Sequence, residues 1–85
     1  MKNLINIVLG NITRLAIDTG QICLTYYNDT NKCKYEIMNN QRETLKQGLC
    51  TVFDQGEVIE LSQKIADLYP GKIGISFKRE AIQTD

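Results

Sequence analysis

The sequence contains no histidine and no tryptophan in its 85 residues. Without histidine it lacks the commonest general base near neutral pH and the commonest zinc ligand. The only proline is Pro70, and the six glycines, at 10, 20, 48, 56, 71 and 74, form no Gly-rich run ahead of a helix. That scatter excludes a phosphate-cradling loop; Gly71-Lys72-Ile73-Gly74 leads into a strand and offers no helix N-terminus to an anion. Neither charge sign prevails, with ten Lys and Arg against ten Asp and Glu. A balanced chain is neither a general polyanion binder nor an acidic mimic of DNA. No apolar run is longer than Ile7–Leu9, far short of the roughly 20 residues a spanning helix needs. Asn6, Asn11 and Arg14 break up anything resembling a secretory signal, so a cytoplasmic protein with no membrane partner is expected.

Three cysteines, Cys23, Cys33 and Cys50, make an odd set whose spacing fits no metal motif. The expectation is three reduced thiols, with a Cys23–Cys33 disulfide conditional on adjacent strands placing the two side by side. The length suits one domain with a modest core, and no linker, repeat or low-complexity run divides it. A single domain over 1–79 and a frayed tail over 80–85 are expected.

Hydrophobic periodicity supplies the elements. Leu4, Ile5, Val8, Leu9, Ile12, Leu15 and Ala16 fall on one side of a helical wheel, opposite Asn6, Gly10, Asn11 and Arg14. The spacing predicts a helix over 3–18, capped by Asn3 and stopped by a left-handed Gly20. Ile22, Leu24 and Tyr26 alternate with Cys23, Thr25 and Tyr27, and Cys33, Tyr35 and Ile37 alternate with Lys34 and Glu36. Around the turn Asn28–Asn31 this predicts a hairpin pairing Tyr26 with Cys33, Leu24 with Tyr35 and Ile22 with Ile37. A slip of one residue would bury Lys34 and Glu36. Asn40 and Glu43 read as a capping box opening a second helix, whose stripe is Leu45, Leu49, Val52 and Phe53. Asp54-Gln55-Gly56-Glu57 opens a third, with the stripe Val58, Leu61, Ile65, Leu68 and Tyr69, stopped by Pro70-Gly71. Ile73, Ile75 and Phe77 alternate with Gly74, Ser76 and Lys78 as a last strand. The fold expected is a small α+β domain in the order α-β-β-α-α-β, a three-stranded, mainly antiparallel sheet with helices packed on one face.

Chemistry is sparse. The thiols have no histidine to activate them, and small buried cysteines are the ordinary reading. Glu57, Glu60 and Asp67 share the polar side of one helix, the usual pattern of a solvated face. No catalytic residue, metal or cofactor is expected. What remains is the sheet face turned away from the helices, bearing Thr25, Tyr27, Lys34, Glu36, Ser76 and Lys78. A tyrosine ringed by mixed charge and small polar groups has the anatomy of a modest protein interface. The expected function is a non-catalytic intracellular protein-binding module that occupies a surface of a larger protein or complex. Short chains of this composition are common in bacteriophages and mobile elements, which encode small inhibitors of host defence such as anti-CRISPR proteins. The alternative is a small nucleic-acid-binding regulator using the same face, with tyrosines to stack bases and lysines to hold phosphates. A free sheet edge also permits a homodimer.

Overall fold

The computed structural model describes residues 4–15 and 19–83. The order is α1 (Leu4–Leu15), β1 (Thr19–Tyr27), β2 (Lys32–Asn39), β3 (Thr44–Thr51), α2 (Gln55–Leu68) and β4 (Gly74–Glu80). The fold is α+β, but the sheet has four strands, not three, in the order β3-β2-β1-β4. The described residues hold two helices, since the segment expected to coil after Asn40 is a strand. β1–β2 and β2–β3 are antiparallel and β1–β4 is parallel, which makes the sheet mixed.

The hairpin register follows the alternation: Ile22 pairs with Ile37, Leu24 with Tyr35 and Tyr26 with Cys33. These six side chains are buried together with Leu4, Val8 and Ile12 of α1 and Val58, Leu61 and Ile65 of α2. Both helices therefore cover the same sheet face. Burying these apolar rows, at about 25 cal/mol per Å² removed from water, is the main stabilising term.

Several local expectations are corrected. Asn11, assigned to the polar side of α1, is 6 % exposed. It is tolerated because its Nδ2 donates to the Ile7 carbonyl at 2.9 Å and its Oδ1 accepts from Arg14 Nη2 at 2.7 Å. Gly20 does not terminate the helix; it lies in β1 at a register shift between Thr19 and Gln21, against Asn40. The cap expected at Asn3 and the last expected helical residues, 16–18, lie outside the described residues. At the start of β3, Asn39 does the capping instead of Asn40: its Oδ1 accepts from the backbone N–H groups of Gln41 and Glu43, both at 2.9 Å. Arg42 adopts φ 66° in this turn. Val52 is buried as expected, but Phe53 is 83 % exposed and, at the end of α2, Leu68 is 61 % exposed.

The α2 start is as the sequence indicates. Asp54 caps it by accepting from Gly56 N at 2.8 Å, and Glu57 Oε1 accepts from Phe53 N at 2.7 Å. Tyr69 closes the helix through its N–H to the Ile65 carbonyl, and Gly71 turns the chain at φ 72°. β4 then runs as far as Glu80, whose carbonyl accepts from Asn28 N at 2.8 Å, while Ala81 O accepts from Asp29 N at 3.1 Å.

Candidate functional site

Because α1 and α2 share one face, the other face of the sheet carries no covering element among the described residues. Side chains alternate across a pleated strand, so the residues between the core positions point here. The register arranges them in cross-strand rows. Glu36, Cys23 and Ser76 form one row, with Gln47 at its β3 end. Lys34, Thr25 and Lys78 form the next, with Leu49 at the end. Lys32, Tyr27 and Glu80 form the third, with Thr51 beyond.

All six residues singled out in the sequence, Thr25, Tyr27, Lys34, Glu36, Ser76 and Lys78, line one groove of about 410 Å³, together with Cys23, Leu24 and Glu80. A second groove of about 330 Å³ continues over β3, lined by Tyr27, Lys34, Gln47, Gly48 and Leu49. Tyr27 and Lys34 belong to both.

The position of Tyr27 differs from a projecting anchor. It is 7 % exposed and lines both grooves. At this depth Tyr27 leaves too little ring surface for a base to stack on. The protruding elements are Lys34, Lys78 and Ser76, which are exposed, and Leu49, which is 44 % exposed. Glu36 is half-buried and accepts a hydrogen bond from Thr44 Oγ1 of the neighbouring strand. Lys34 and Lys78 flank Thr25, while Glu36 and Glu80 stand one row away on either side, so the groove has matched charge.

Sequence reasoning missed Gln47, Leu49 and Glu80. A helix over this segment, as the stripe predicts, hides the first two, which lie on the strand β3. Glu80 falls in the expected tail, but the alternation Ser76, Lys78, Glu80 carries β4 through it. Cys23 belongs to the same alternation as Thr25 and Tyr27 and lines the groove with them.

The arrangement offers donors, acceptors and apolar surface over a rigid sheet. Among the described residues, no group of three or more Cys, Asp and Glu side chains is placed to hold a metal ion. No helix among them is long and apolar enough to cross a membrane. No family model matches the chain, and neither a curated protein nor a solved structure matches it.

Proposed function

We propose that the protein is a non-catalytic binding module that docks a partner protein on the uncovered sheet face. The observation that carries this reading is the bare face itself: two helices seal one side of the sheet, and the other presents a continuous polar groove with Lys34, Lys78, Glu36 and Glu80 at fixed positions. Rows of opposite charge select a partner by pattern more than by total charge, because a misregistered partner meets like charges. Leu49 supplies apolar area beside them. Small size and balanced charge support action by stoichiometric occupancy of a partner surface. That is the mode of small phage and mobile-element inhibitors of host defence complexes, including anti-CRISPR proteins, and the class to which we assign the protein.

The test is a paired capture from a bacterial host lysate with the wild-type chain and a Lys34→Glu/Lys78→Glu variant. Both lysines are exposed, so the variant keeps the circular-dichroism melt of the wild type. The expected result is a stoichiometric protein complex with the wild type and at least a tenfold loss with the variant. Equal capture by both chains would remove the sheet face from the interface. Light scattering over a range of concentrations separates a second copy of the chain from a foreign partner. A titration with mixed oligonucleotides separates the nucleic-acid reading, which requires binding that collapses with salt.

A further inference from the structure

Cys33 and Cys50 occupy directly opposed positions on the antiparallel strands β2 and β3. Both point to the helix-covered face, as the burial of Cys33 and the packing of Cys50 against the core require. Opposed antiparallel residues have Cα atoms roughly 4.5–5.5 Å apart, inside the range of about 4.4–6.8 Å that a disulfide spans. Cys23 is excluded from this pair. It lies on the opposite face, opposed to Glu36 and Ser76 rather than to either thiol, so the Cys23–Cys33 bridge is ruled out by the register. The chain therefore holds one adjacent dithiol and one isolated thiol, all three reduced in this structure.

We infer that Cys33 and Cys50 form a thiol–disulfide exchange site that closes into a cross-strand disulfide when it meets a small oxidised disulfide such as oxidised glutathione. This site does not depend on the docking reading. Access decides the sequence of steps: Cys50, half-buried on the edge strand, is reached first, while Cys33 has no exposed surface. The Cys50 thiolate attacks one sulfur of oxidised glutathione and expels one glutathione thiolate, leaving a mixed disulfide on Cys50. Cys33 then attacks the Cys50 sulfur, its proton passing to the departing glutathione sulfur as the Cys33–Cys50 bond forms, and the second glutathione leaves. Two protein thiols are oxidised and one glutathione disulfide is reduced to two glutathione molecules. The bond ties the edge strand β3 to β2 one position from Lys34 and Leu49, which sit on the other face.

The sequence makes the test direct. Trypsin cuts after Lys32, Lys34 and Lys46, so each cysteine falls in a separate peptide. The folded full-length chain is incubated with oxidised glutathione, quenched with N-ethylmaleimide, digested without reductant and read by mass spectrometry. The expected product joins the Cys33-Lys34 dipeptide to the peptide that begins at Gln47, lacking two hydrogen atoms and restored by dithiothreitol. Cys23→Ser keeps this product, and Cys50→Ser abolishes it. A stable glutathione adduct on Cys50 with Cys33 still reactive after unfolding would overturn the inference. So would crosslinks confined to Cys23 between two chains. Should Cys50→Ser fail to fold, the Cys23→Ser chain alone decides, because it holds only the proposed pair.

Discussion

At the scale of single residues, two glycines make opposite predictions. A methyl group added at Gly48 would lie 2.6 Å from Tyr35 Oη and 2.8 Å from its Cζ. Tyr35 is 5 % exposed and has little freedom to move. The clash outweighs the gain of about 0.4–1 kcal/mol from a stiffer unfolded chain, and Gly48→Ala is expected to destabilise by about 1–3 kcal/mol in urea unfolding. At Gly10, exposed on α1, the added methyl meets nothing within 4 Å. Gly10→Ala is expected to stabilise by about 0.5–1 kcal/mol in the same assay. Cys33 gives a pH prediction. Burial first, and Cys50 second, push its thiol from 9.0 up to about 12. Below pH 9 the thiol is protonated in both states; above it the unfolded chain loses the proton and the folded chain keeps it. Stability therefore falls between pH 9 and 12, by at most about 1.4 kcal/mol per pH unit from this group. Burial also raises Cys50 and Tyr35, and both act in the same direction. Denaturation midpoints measured at intervals over that range are expected to decline, with a shallower slope in Cys33→Ala.

At the scale of elements, the α2 start is the most exposed to a single change. Asp54→Ala removes the acceptor for Gly56 N and is expected to cost about 1 kcal/mol, read as a lowered urea midpoint with an unchanged slope. An unchanged midpoint would show that water replaces the cap fully. The elements legible in the sequence are those with one strongly buried face. The hairpin carries its register in the alternation of Ile22, Leu24 and Tyr26, and α1 and α2 carry theirs in Leu4, Val8, Ile12 and in Val58, Leu61, Ile65. β3 was illegible because it is an edge strand: it buries little, so no alternation marks it. Leu45, Leu49 and Val52 happen to satisfy a helical stripe as well. The turn before it deepened the error, since Asn39, Asn40 and Glu43 supply the same side-chain acceptors to a tight turn that they would supply to a helix end. Gly48 was the available clue, because a glycine facing a large aromatic across a ladder marks a strand more than a helix.

At the scale of the molecule, the candidate face was legible because it is the complement of the core: once Ile22, Leu24 and Tyr26 face the helices, Cys23, Thr25 and Tyr27 must face away. Its β3 border and the depth of Tyr27 were not, since both depend on which strands flank the hairpin. β4 joins β1 in parallel, which ties residues near 25 to residues near 78. A chain ended after Lys72 loses β4, the buried Ile73 and the hydrogen bonds that Glu80 and Ala81 make to the hairpin turn. It is expected to show no cooperative thermal transition by circular dichroism; a sharp melt near that of the full chain would make β4 an accessory. The parallel pairing also sets an order of events during synthesis. The strand that ends up second from one side of the sheet is made early, yet its neighbour emerges from the ribosome only after β2, β3 and α2 have been made. Throughout that interval a nascent chain holds a greasy strand with one flank open, the condition under which chaperones bind and neighbouring chains tangle.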